Sequence, residues 1–134
     1  MQSNMTRGIR NNNPLNIRIG NTWLGEVSNP TDSDFEQFCS ILYGLRAGFV
    51  ILRRYIRRYG RNTIAKIINA WAPASENNTQ AYIDAVSKRT GIPKDAILSF
   101  DDEKSMVALV EAMAFIECGH TVDTKIILQS YQMT

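Results

Sequence analysis

SMVALVEAMAFIECG, residues 105–119, is the stretch whose reading decides the fold. Met106, Leu109, Val110 and Met113 recur at the three- and four-residue intervals of one helical stripe, and Glu117 continues it. Val107, Ala114 and Ile116 place apolar groups on the other sides, the pattern of a helix buried all round. A carboxylate at the rim of such a core is costly when ionised, so it holds its proton to higher pH. A general acid working near neutrality needs that condition. From the spacing alone, the simpler reading is that Glu117 ends the helix at the surface.

Upstream, the apolar periodicity marks further helices. Ser40 is placed to cap one running to about Tyr59, with Gly60 as its stop. Thr63 to Ala72 forms a second, ended by Pro73, and Asn78 or Thr79 caps a third that reaches about Lys88 and ends near Gly91. Ile92-Pro93 opens a short helical turn to Leu98, Asp101 caps the helix containing residues 105–119, and Val122 to Tyr131 packs as a terminal helix. Residues 1–38 lack a helical period. Their Asn, Gly and Pro content predicts loops, with a short β-hairpin or an irregular ligand-facing loop over 21–38. The fold class expected is mainly α with a small loop or β-hairpin lobe near the amino end, all 134 residues forming one domain.

Composition excludes some classes and leaves others open. Hydrophobic residues at 44% and charged residues at 21% are globular values, and a net charge of +2 does not select a partner. Met1 to Pro14 has no apolar run, and no segment approaches the roughly 18 apolar residues of a membrane span. The expectation is cytoplasmic synthesis without an export signal and no membrane span. Cys39 and Cys118 lie in no metal-binding spacing and are read as buried free thiols, one disulfide being the alternative; His120 is the only histidine, so neither a metal nor another cofactor is expected. Arg53, Arg54, Arg57, Arg58 and Arg61 form the one basic cluster. A solvated helix end explains them, and a phosphate-binding strip is the sharper alternative; without a nucleic-acid fold signature, nucleic acid is an unlikely partner.

Three features could carry chemistry. NNNPLNIR, residues 11–18, gathers asparagines around a proline turn; their amides donate and accept at once, which suits hydroxyl- and acetamido-rich ligands, although Asn clusters also build turns. Trp23 stands before Gly25 in the loop region, where an exposed indole is a platform for a sugar face and a buried one is core. WAPASENNTQAY, residues 71–82, brings Trp71, Glu76, Asn77, Asn78, Thr79 and Tyr82 to a helix start, where Glu76 and Asn78 can also serve the helix dipole and the cap.

RGIRNNNPLNIR, Trp23 with Gly25, Phe35 with Phe38, the helix from Gly44 to Ala47 and WAPASENNTQAY together resemble a family of small phage and prophage proteins, often described as virion or structural proteins, with a lysozyme-like fold. The match spans about residues 7–119. More loosely, the pattern is similar to bacterial glucosaminidase and lytic transglycosylase domains. Glu117-Cys118-Gly119 stands for their glutamate-serine-glycine, Asn13 to Arg18 for an asparagine turn, Trp23 to Gly25 for a W-x-G hairpin and Asn78 to Tyr82 for a threonine-rich stretch ending in tyrosine. The order is rotated, which implies a circular permutation and requires Glu117 to lie beside the Asn13 to Arg18 turn.

The resemblance implies a peptidoglycan-degrading glycosidase, of the muramidase, glucosaminidase or lytic transglycosylase type, acting on the glycan strand at the cell wall after release or from the virion. The alternative is a non-catalytic virion or glycan-binding protein of the same fold, with other virion proteins as partners. The implied catalytic residues are Glu117 as acid, Glu76 and Tyr82; Asn13, Asn16, Arg18, Trp23, Trp71, Asn78 and Thr79 would bind substrate. A second carboxylate, if used, would come from Glu26, Asp32, Asp34, Glu36 or Glu76.

Overall fold

The computed structural model describes residues 5–75 and 77–134. Its helices are α1 (Arg7–Arg10), α2 (Ile41–Tyr59), α3 (Ile64–Trp71), α4 (Thr79–Thr90), α5 (Glu103–Cys118) and α6 (Thr124–Gln132). The chain is mainly α, as its periodicity predicts.

The cap chemistry explains most of the boundaries. Ser40 Oγ accepts from the Leu42 amide, Thr63 Oγ1 from Lys66 and Asn78 Oδ1 from Ala81, each supplying an acceptor to an orphan amide of the first turn. Gly60, Gly91 and Gly119 stop α2, α4 and α5 in the left-handed region. Asp102, not Asp101, caps α5, its Oδ1 accepting from the Ser105 amide. The expected turn of helix after Ile92-Pro93 is absent: residues 92–98 run as turns, the Leu98 amide bonding the Asn62 carbonyl and the Ala65 amide the Lys94 carbonyl. Tertiary bonds to the start of α3 replace the local ladder there.

α5 sits at the centre, packed against α4, α6, α1 and α2. Met106, Leu109, Val110, Ala112, Met113 and Ala114 are buried in one core with Phe49 and Leu52 of α2, Ile67 and Ile68 of α3 and Ile83 and Val86 of α4. Burial is not complete on every side. Glu111 and Phe115, one turn apart, form an outer stripe where Arg89 of α4 makes a bidentate pair with Glu111 at 2.8 and 2.9 Å and stacks over Phe115.

The lobe of residues 11–39 is irregular. Its only pairings outside helices, among the described residues, are the isolated bridges Arg18 with Phe35 and Glu26 with Phe38, so the hairpin expected there is reduced to two contacts. Buried side chains replace a sheet ladder. Asn13 is fully buried; its amide donates to the carbonyls of Ile17 (2.9 Å) and Glu36 (3.0 Å) while its oxygen accepts from the Ile17 amide. Asn12 donates to the Phe38 carbonyl, and Asn11 links Asp32 to Gln37. The residues 7–10 expected as loop close into α1 just before this turn.

This lobe docks on α2 through two glycines. A Cβ on Gly44 would fall inside the Asn12 carbonyl, and one on Gly48 inside the Leu15 side chain, which is fully buried. Both thiols are free; Cys118 is buried as expected, whereas Cys39 is exposed where the lobe meets α2. No helix among the described residues is long and apolar enough to cross a membrane.

Beneath the lobe, Glu36 is 7% exposed and faces Glu26, and neither Glu26 Oε1 nor Glu36 Oε2 has a hydrogen-bond partner among the described residues. Burial, then the neighbouring Glu26 carboxyl, push the Glu36 carboxyl up to about 7. Because the folded value is raised, Glu36 stabilises the fold most below its unfolded value and loses that contribution as pH rises through about 7. Glu36→Gln is expected to raise Tm at pH 8 and to change it little at pH 5, read by thermal melts at both. Gly44→Ala is expected to cost about 2–3 kcal/mol in denaturant unfolding, because the clash is with backbone.

Candidate active site

Two positive-φ residues shape the turn that reaches the site. Asn12 and Asn16 both adopt φ of 52°, a conformation short polar side chains tolerate better than others. For Asn16 the consequence is direction. Its amide points at the carboxyl end of α5, donating to the Glu117 carbonyl at 3.0 Å and to Glu117 Oε1 at 3.2 Å. From the other side, the Tyr82 hydroxyl of α4 donates to Glu117 Oε2 at 2.9 Å. Three segments far apart in sequence therefore converge on one carboxyl group, and the Asn13 to Arg18 turn lies beside Glu117 as the rotated motif order requires.

The environment sets the acidity of that group. Burial raises the Glu117 pKa, while the Asn16 and Tyr82 hydrogen bonds and the positive charge of Arg18 oppose the rise. Burial and the neighbouring Glu117 drive the Tyr82 hydroxyl far above its usual value, so it remains a donor at any physiological pH. The Cys118 thiol, which follows where a serine is usual in the looser resemblance, points away to the His120 carbonyl at 3.6 Å.

Glu117 opens into a cleft of about 410 Å³ lined by Asn16, Ile17, Arg18, Asn21, Phe35, Ile51, Tyr55, Trp71, Ala72 and Asn77. Aromatic and aliphatic side chains share this lining with three amides, Arg18 and Glu117 itself, so the cleft offers both apolar faces and hydrogen-bonding groups. Arg18 lies over the Phe35 ring at 4.9 Å, and Tyr55 packs edge-on to Trp71 at 6.2 Å between centroids.

Of the residues singled out in the sequence, Glu117, Asn16, Arg18 and Trp71 line the cleft, and Tyr82 touches it through Glu117. The other candidates have structural environments. Asn13 is locked into the lobe's backbone, Asn78 caps α4 and the Thr79 hydroxyl donates to the Ala72 carbonyl at 2.5 Å. Trp23 is core, 8% exposed, with Arg54 over its ring at 5.7 Å, rather than an exposed platform. Glu76 lies outside the described residues. Asn77, from the 71–82 feature, also lines the cleft, and Asn21, Phe35, Ile51 and Tyr55 line it without having been predicted. Ile51 and Tyr55 share the apolar spacing of α2, and only their half-exposure on folding separates them from its core residues; Phe35 stands in a segment without a period.

Among the second-carboxylate candidates, Asp32 and Asp34 are held by Arg7 at 2.5 and 3.1 Å beside a separate polar hollow, and Glu26 and Glu36 face each other under the lobe. Glu117 is thus the one carboxylate in the cleft lining among the described residues. No cluster of metal-ligating side chains occurs among the described residues.

No family model matches the chain. Over 117 residues it is 43% identical to protein P5 of Pseudoalteromonas phage PM2, in an alignment covering 84% of this chain and 71% of that protein.

A site that destabilises an ionised Glu117 leaves a thermodynamic trace. Its raised pKa means that Glu117 stabilises the fold most below about pH 4.5 and loses that contribution as pH rises through the folded value. Glu117→Gln keeps an acceptor for Asn16 and offers an amide to Tyr82. It is expected to stabilise the protein by on the order of 1 kcal/mol at pH 7 and by little at pH 4, measured by denaturant titration.

Proposed function

The chain belongs to the family of protein P5 of Pseudoalteromonas phage PM2, and from the chemistry of its cleft we propose that it is a phage-encoded glycosidase that cleaves the glycan strand of peptidoglycan, with Glu117 as general acid. One observation carries this reading: a half-buried carboxyl group with raised pKa, fixed by two donors, at the wall of an aromatic and amide-lined cleft.

In this mechanism Glu117 gives its proton to the bridging oxygen as the C1–O bond breaks through an oxocarbenium-like state. Asn16 and Tyr82 then stabilise the carboxylate left behind. With no other acid in the lining among the described residues, the substrate supplies the second group. The acetamido oxygen of the same sugar takes up the charge at C1, and the Glu117 carboxylate removes a proton from the incoming hydroxyl. Water as that hydroxyl gives hydrolysis; the 6-hydroxyl of the same sugar gives lytic transglycosylation. Trp71 and Tyr55 would pack on sugar faces, and Asn21 and Asn77 would reach their hydroxyl or acetamido groups. The second reading, a virion component that holds glycan without cutting it, draws support from the lone carboxylate and the cysteine after it.

A zymogram and a turbidity assay on purified sacculi separate the two. The wild type clears the substrate and Glu117→Gln loses about 10²–10⁴-fold in rate if Glu117 is the acid; sacculi left intact by the wild type would favour the binding protein. The basic limb of the pH–rate profile reports the acid's own pKa. Because the Tyr82 hydroxyl lowers that value, Tyr82→Phe is expected to move the limb to higher pH while reducing kcat.

A further inference from the structure

α2 ends in Arg53, Arg54, Arg57 and Arg58, with Arg61 just past its Gly60 stop. Only Arg57 of these pairs with an acid among the described residues, Asp101 at 2.7 Å. The rest lie over rings: Arg53 over Phe100 at 5.9 Å, Arg54 over Trp23 at 5.7 Å, Arg58 over Tyr59 at 5.8 Å and Arg61 over Tyr55 and Tyr59, each at 5.0 Å. Stacking fixes a guanidinium plane and leaves its N–H fork open to an anion. A helix-dipole role accounts for the last turn alone, and Arg54 precedes it.

Arg53 and Arg57 face Phe100, next to Asp101, Asp102 and Glu103, whose charges offset theirs. Arg61 lies over Tyr55, which lines the cleft together with Ile51 of α2, and Arg54 and Arg58 follow Ile51 at three and seven residues along the same helix. Arg18 adds a further cation in the cleft lining itself. A ligand filling the cleft and extending along α2 therefore meets unpaired guanidinium groups at its edge. The acids beside Phe100 interrupt the surface that a long phosphate backbone would follow.

We propose that Arg54, Arg58 and Arg61, with Arg18, form a binding site for the carboxylates of the peptide stems attached to the glycan strand. This rests on the reading that the cleft holds peptidoglycan glycan, and it does not require that the strand be cut. Peptide-stem carboxylates match the planar fork of arginine, and they recur along the same polymer that the cleft would hold.

Calorimetry in the Glu117→Gln background tests it with soluble glycan oligomers bearing peptide stems and the same oligomers stripped of them. The stemmed glycan is expected to bind about tenfold tighter, with an advantage that falls as salt rises. Replacing Arg54, Arg58 and Arg61 together by Gln removes that advantage and leaves the stripped glycan's affinity unchanged, which also reports an intact fold. Equal affinity of the parent for the two glycans, equal loss for both in the arginine variant, or binding of neither glycan overturns the proposal. Tight binding of a short DNA duplex that the arginine variant loses, without preference for stems, overturns it in favour of nucleic acid. Stem-dependent binding together with a wild type inert on sacculi supports the proposal and removes only the catalytic reading.

Discussion

Everything at the site hangs on how closely the Asn12 to Leu15 turn approaches α2. Gly44 and Gly48 lie one turn apart on one helix face and leave room for the Asn12 carbonyl and the Leu15 side chain, which no other residue would leave. Once the turn is seated there, Asn13 supplies the bonds that a sheet would otherwise make, and Asn16 is carried to the end of α5. Asn16 then holds Glu117 from a backbone conformation that few side chains accept. A short, rigid path thus runs from two missing methyl groups to the orientation of one carboxyl.

That carboxyl is a compromise between opposing terms. Burial favours the protonated form of Glu117, whereas the hydrogen bonds of Asn16 and Tyr82 and the charge of Arg18 favour the ionised form. Burial is the largest influence, so the pKa stays raised, with two donors and Arg18 limiting the rise. A group poised this way lowers the stability of the fold at neutral pH. Residues kept in such a state at a cleft wall are candidates for function on physical grounds.

The sequence disclosed the helices better than it disclosed the site. Caps at Ser40 and Asn78 and stops at Gly60 and Gly91 are local chemistry, read directly from residue type, and Thr63 and Gly119 act in the same way in the structure. The failures came where distant contacts decide. Residues 92–98 are held by bonds to Asn62 and Ala65, the lobe by buried amides rather than by strand pairing, and Cys39 is exposed by the bend between lobe and α2. Glu117 was visible because it breaks an apolar stripe. Tyr55 was not, because an aromatic ring at a cleft wall has the same spacing as one in the core, and Phe35 stands in a segment with no period to read. Asparagine was ambiguous for a related reason: in the NNNP run the same amide serves a buried turn at Asn13 and the cleft at Asn16, and only the fold tells them apart.

The irregular lobe also bears on which chemistry the cleft could support. Its four carboxylates are each placed elsewhere: Asp32 and Asp34 pair with Arg7, which ties the lobe to α1, and Glu26 and Glu36 face each other beneath the lobe. Turning any of them into the cleft would break an ion pair or leave a buried carboxyl alone. A second catalytic carboxylate from this lobe would therefore require rebuilding it. A mechanism in which the sugar's own acetamido group completes the reaction asks nothing more of these residues than the structure already provides.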